Sequence, residues 1–189
     1  MPKKPRWTET RRQHGAMDIT FTSWRYFFDF INQKFLDYKW YVFRGQANEA
    51  WRLQSSLDRV LSEHGEIHSH TARQEHLRRF VLAARGRRGT SPSRIEDDNE
   101  WWALGQHHGL ATPLLDWTES PFVALYFAFV DLNAGGSKHR TVYALHQPDV
   151  EERSTAIAKH HKRAGKRSRS PITEIIRPMS DENSRLVSQ

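Results

Sequence analysis

Apolar residues recur at helical spacing in several windows of this chain, and shorter β-branched or aromatic runs lie between them. Trp24, Phe27, Phe28, Ile31 and Phe35 follow i, i+3, i+4, i+7 and i+11, with Ser23 ahead of them as an N-cap, which predicts an amphipathic helix. Trp40-Tyr41-Val42-Phe43 reads as a buried strand that stops at Arg44-Gly45-Gln46. Residues 51–57 read as an extended segment turning into a short serine-capped helix with Leu57 and Leu61 inward. Thr71 to Ala84 carries Leu77, Phe80, Val81 and Ala84 on one stripe, and Gly86 stands where a C-terminal cap belongs. Asp97, Asp98 or Asn99 caps a helix holding Trp101, Trp102 and Leu104, which Gly109 ends.

The most apolar stretch is 120–130. Ser120-Pro121 is a helix start signal, and 122, 123, 126, 127 and 130 are apolar, with Leu125 and Phe129 on the other side. A helix apolar nearly all round is expected inside the protein. Beyond a turn at 133–136, Thr141–Leu145 is a second clear strand. PITEII (171–176) reads as a third, and Arg185-Leu186-Val187 begins a fourth. The expected fold class is α+β: helices packed on a small, mostly antiparallel sheet formed by 41–45, 141–146, 172–176 and 185–188, around a buried central helix 120–130.

Composition adds limits. A chain of 189 residues is expected to form one domain and to bury roughly 70% of its unfolded surface. With 7 Trp, 10 Phe and 5 Tyr, its core should be built on large rings. The absence of cysteine excludes disulfides and thiolate metal sites. The start, MPKKPRWTETRRQ, lacks the apolar core of a signal peptide, and no apolar run nears the ~20 residues that span a bilayer. A soluble, cytoplasmic protein without membrane partners is expected. Ending on an incipient strand, the chain also leads us to expect a further C-terminal piece beyond Gln189.

The net charge of +7 is unevenly placed. Residues 1–12 carry five Lys/Arg and one Glu (+4), and residues 153–169 carry seven Lys/Arg and no acid (+7). Since 7 − 4 − 7 = −4, the remainder is mildly acidic. This pattern predicts a flexible basic tail at 1–17, a domain at 18–189 and a polar, basic insertion at 146–170. Segments 1–12 and 153–169 can bind nucleic acid without sequence preference, or serve only as solvated surface.

Candidate chemistry concentrates just before the central helix. Gln106, His107, His108, Thr112, Asp116, Trp117 and Thr118 fall within thirteen residues, at what should be a helix N-terminus whose free N–H groups favour an anion. Arg44 offers a fork for phosphate or carboxylate, and Gly45 lets the backbone approach a neighbour closely. Trp117 suits stacking on a flat ring, Asp116 suits accepting from a ribose hydroxyl, and His107 or His108 suits acid–base work near neutral pH. Each has a structural alternative: Trp117 as core, Asp116 as the ion-pair partner of Arg44, the histidines as donors to backbone carbonyls. His64 and His68 have metal-ligand spacing, but Gly65 interrupts them and no third ligand completes a set, so no metal site is assigned. Nucleophilic hydrolase chemistry has no support, with no Cys and no G-x-S-x-G.

YVFRGQ (41–46), W-x-L-x-x-S-L (51–57) with Arg59 after it, and LGQHHGLATPLLDWTESPFVALYFAF (104–129) together resemble the FRG domain, named for its Phe-Arg-Gly signature, here Phe43-Arg44-Gly45. The resemblance extends over about 20–189, through TVYAL and the RLV tail. Gln54 stands where that family commonly has Pro. A more distant resemblance is to the Arg-Ser-Glu class of ADP-ribosyltransferases. It implies that Arg44 anchors the phosphate of NAD, that Asp116-Trp117-Thr118 replaces the class's Ser-Thr-Ser element, and that Glu174 is the counterpart of the catalytic Glu. On that resemblance NAD is a substrate, and the protein is an effector such as a toxin or phage-defence factor. His107, Asp116 and Glu174 are the catalytic candidates. Arg44, Gly45, Gln46, Gln106, His108, Thr112, Trp117, Thr118 and Ser120 are the ligand-binding candidates. The alternative is a non-catalytic module binding nucleic acid or an acidic ligand.

Overall fold

Caps and alternation translate directly into elements in the computed structural model, which describes residues 5–12, 15–35, 37–89, 92–131, 137–163 and 173–178. Strand β1 (Trp7–Arg11) pairs antiparallel with β2 (Met17–Phe21), Trp7 opposite Phe21. Helix α1 (Arg25–Lys34) follows, then a 3-10 turn at Tyr38–Trp40 and β3 (Tyr41–Gln46). Helices α2 (Ser56–Glu63), α3 (His70–Ala84), α4 (Asp98–His107) and α5 (Pro121–Phe129) come next. Strand β4 (Thr141–His146) returns antiparallel to β3, and α6 (Gln147–Arg163) leaves from its end. The fold is α+β, with two small antiparallel sheets of two strands each among the described residues. No helix among them is long and apolar enough to cross a membrane.

Two apolar clusters hold these elements. In the first, Phe27, Phe30 and Ile31 of α1 pack with Trp7, Ile19 and Phe21 of the hairpin, and Leu125 of α5 and Val142 of β4 join them. Edge-on ring pairs at 5.5–5.7 Å (Phe21–Phe30, Trp7–Phe30, Phe21–Phe27) give this cluster the geometry aromatic rings prefer. In the second, Leu57 and Leu61 of α2, Leu77 of α3 and Trp102 of α4 are buried together. Caps fall at Ser55, Ser69, Asp97 and Ser120, where short polar side chains accept from the first-turn amides. Gly86 and Gly109 have φ of +69° and +81° just past α3 and α4, the left-handed geometry that ends a helix.

Several expectations need correcting. Within the expected tail 1–17, Trp7–Arg11 is a paired strand, because its alternating Trp7 anchors it against Phe21 and Phe30. Ser23 does not cap α1; Trp24 occupies the N-cap without a side-chain bond. The polar 146–170 segment is helical from Gln147 to Arg163. Residues 173–178 carry no regular structure, so the strand expected at 172–176 does not form in the described part, and 133–136 and 185–188 lie outside the described residues.

Helix α5 also departs from expectation, in its burial. It buries Pro121, Ala124 and Ala128, and the small size of the two alanines lets its backbone approach β3 at Gly45. Its larger residues are left outward: Tyr126 is 62% exposed, Phe127 52% and Val130 54%. A uniformly apolar pattern predicted burial on all sides; packing through the small residues buries one side and part of another.

Candidate functional site

Strand alternation decides what β3 offers to each side. A Cβ on Gly45 would meet the Ala124 carbonyl oxygen and the Ala128 amide nitrogen, so Gly45 faces α5. Arg44 and Gln46, one residue either side, therefore leave from the opposite face. The sequence points to the mouth of α5; Arg44 instead lies on the other face of the strand. At the mouth itself Ser120 Oγ accepts from the Val123 amide, and Thr118 Oγ1 accepts from the Ser120 amide, so both hydroxyls serve the turn.

On the Arg44 face a chain of hydrogen bonds joins three elements. The Arg44 guanidinium donates from Nη1 to the Asp116 backbone oxygen at 2.6 Å. The Asp116 carboxylate accepts instead from Gln106 Nε2, at the end of α4. Thr112 Oγ1 donates to Gln106 Oε1 at 2.6 Å, which fixes the amide so that its NH2 points at Asp116. Ser56 at the start of α2 closes the chain, accepting from the Thr112 amide at 2.9 Å and donating to its carbonyl. Loop 112–118 is held at its far end by the Phe43–Thr118 bridge, with bonds of 2.7 and 2.8 Å.

Electrostatics single out Arg44. Burial pushes its guanidinium below its ordinary value, the Asp116 carboxylate pulls the other way, and the nearby charge of Arg59 adds to the lowering. The Arg44 Nε is buried without a hydrogen-bond partner, and so is the Gln46 Oε1, in a side chain only 8% exposed. Unpaired buried donors are uncommon enough that each calls for an explanation, such as a missing ligand atom. Arg44, Arg59 and the exposed Asp116 thus form two cations and one anion at the protein surface.

The other sequence candidates divide. Gln106 and Asp116 belong to this network. Thr112 is fully buried and acts on Gln106, so it positions the site and cannot touch a ligand. Gly45 faces a helix, which is why only glycine fits, and its assignment to ligand binding is corrected. Trp117 is half-buried beside Asp116, and His107 and His108 are exposed at the C-terminal end of α4. Glu174 is exposed in an irregular segment and lines a separate cavity of about 210 Å³ with Asp97, Asn99 and Glu100. Sequence reasoning gave no role to Ser56 or Arg59. The signal was present in the 51–59 motif, where a serine-capped helix start carries Arg59 one turn later.

A family model described as FRG domain matches residues 39–136, slightly more than half of the chain, and spans β3, Ser56, Arg59, Gln106, Thr112 and Asp116. No curated protein and no solved structure matches the chain.

Proposed function

The chain belongs to the FRG domain family, and from that premise we propose that it binds a nucleotide-like ligand, with phosphate against Arg44 and Arg59 and a sugar hydroxyl against Asp116. The observation that carries this reading is the buried, unpartnered Nε of Arg44 next to a second guanidinium. The guanidinium has given one arm to a backbone oxygen, and its Nε, closed to solvent, becomes a phosphate donor only when the side chain turns toward the ligand. Asp116, oriented by Gln106, supplies the acceptor that distinguishes a ribose-bearing ligand from bare phosphate.

NAD is the first compound to test, with ADP-ribose transfer or hydrolysis as the reaction, acting as a toxin or defence effector. Asp116 is the carboxylate positioned for a developing positive charge on the sugar. Glu174, beside another cavity, has no part in this version, and neither exposed histidine is needed. Calorimetric titration of the full chain with inorganic phosphate, ADP and NAD provides the test. Expected are binding of the nucleotides, a loss of roughly tenfold or more in Arg44→Ala, about 1.4 kcal/mol, and partial retention in Arg44→Lys. In Asp116→Asn, phosphate binding should persist while preference for the nucleotide falls. Failure of the wild-type chain to bind any of the three overturns the proposal. Binding without cleavage of labelled NAD would leave the non-catalytic module.

A second reading draws on α6, which exposes Arg153 and Lys159 on a regular helix. Nucleic acid held there binds with strong salt dependence and survives Arg44→Ala.

A further inference from the structure

Helix α5 has a second apolar stripe. Val123, Tyr126, Phe127 and Val130 follow i, i+3, i+4 and i+7, and are 42%, 62%, 52% and 54% exposed. The stripe continues onto α1: Phe122 stacks on Phe28 with centroids 5.2 Å apart and planes 13° from parallel, and Phe28 meets Trp24 edge-on. Phe122, Phe28 and Trp24 are themselves 37%, 37% and 53% exposed. These seven side chains are uncharged, and the Arg25 guanidinium borders them, 5.9 Å over the Trp24 ring.

We infer that this face of α5 and α1 is a homodimer interface, covered by the same face of a second copy of the chain. Area supports a protein partner. At ~200 Å² per large apolar side chain the exposed fractions leave roughly 650 Å² uncovered, above the roughly 300–600 Å² of the largest patch on a typical monomer. Two such patches together bury roughly 1,300 Å², within the range of about 1,200–2,000 Å² for specific interfaces. Charge supports a copy of itself. A two-fold contact lays a patch on its own image, so any single-signed charge meets itself. This chain has a net charge of +7, yet Pro121–Val130 contains no charged residue, so self-contact along α5 itself brings no like charges together. A nucleic acid finds no countercharge on the stripe. An anionic lipid surface meets Glu119 and Asp131 at the ends of α5, against Arg25 over Trp24, where an interfacial helix carries a polar face rich in lysine and arginine.

The inference does not depend on the nucleotide reading, and its test needs no ligand. Sedimentation of the full chain should show a dimer that persists at high salt, as an apolar contact does. The double variant Tyr126→Glu, Phe127→Glu should sediment as a monomer with unchanged helical circular dichroism, because both side chains are more than half exposed. The natural absence of cysteine allows an independent measurement. Tyr126→Cys should give a disulfide-linked dimer on mild oxidation, whereas Glu63→Cys, exposed on α2, should not. A wild-type monomer into the high micromolar range, equal cross-linking of the two cysteine variants, or protection of position 126 within a monomer by residues 179–189 overturns the inference.

Discussion

Gly45 and Ala124 meet backbone to backbone: a Cβ on Gly45 would stand 1.9 Å from the Ala124 carbonyl oxygen and 2.7 Å from the Ala128 amide nitrogen. Neither atom can move without shifting α5. The glycine of the Phe-Arg-Gly signature is therefore a packing requirement between strand and helix. Gly45→Ala should cost about 1–3 kcal/mol or more, read as a lower urea midpoint with an unchanged slope. Wild-type stability in that variant would contradict the contact.

Thr112 carries a hydroxyl that no solvent reaches, and that hydroxyl orients Gln106. Thr112→Val keeps the volume and leaves the Gln106 oxygen unbonded, at a cost of about 1–3 kcal/mol. Thr112→Ser keeps the donor and should recover most of the loss. Measured by denaturation, a larger loss in Thr112→Ser than in Thr112→Val would show that volume, not hydrogen bonding, matters at this position.

Leu77, 3% exposed, joins α3 to Leu57, Leu61 and Trp102. Leu77→Ala should destabilise by about 2–5 kcal/mol, the transfer of the lost methyl groups plus the cavity they leave. The accompanying change in Trp102 emission would locate the effect in the helical cluster.

Glu75 accepts from Arg78 and Arg79 on the surface of α3, and these bonds hold its carboxyl down at about 2, against an ordinary 4.5. A depressed carboxyl contributes stability above its ordinary value and loses that contribution as pH falls through the lowered one. Carbon-detected titration should place the Glu75 midpoint near 2, and the Arg78→Ala, Arg79→Ala double variant should move it back up. A wild-type midpoint near 4.5 would mean that solvent screens the contact.

Some capped helix starts were legible in the sequence, whereas the Ser69 cap of α3 was not read and the cap expected at Ser23 does not form. Ser55, Asp97 and Ser120 each stand one residue before the helix they open, and the strands expected at 41–45 and 141–146 form at 41–46 and 141–146. The β1–β2 hairpin was missed because Thr8, Glu9 and Thr10 surround its single anchor, Trp7, with polar residues in a basic stretch. Helix α6 was missed for a related reason: its composition describes charge, and charge does not distinguish a solvated helix from a loop. The side of β3 that would carry Arg44 required knowing what lies against Gly45. No window of residues 41–46 contains that information, because Ala124 is 79 positions away in the chain.

The pair of backbone bonds between Phe43 and Thr118 stitches an irregular loop to a strand edge, so this segment is ordered before any guest arrives. If the proposed ligand docks beside Arg44, it meets a floor whose entropy was surrendered during folding, and its association should be fast and nearly independent of loop motion.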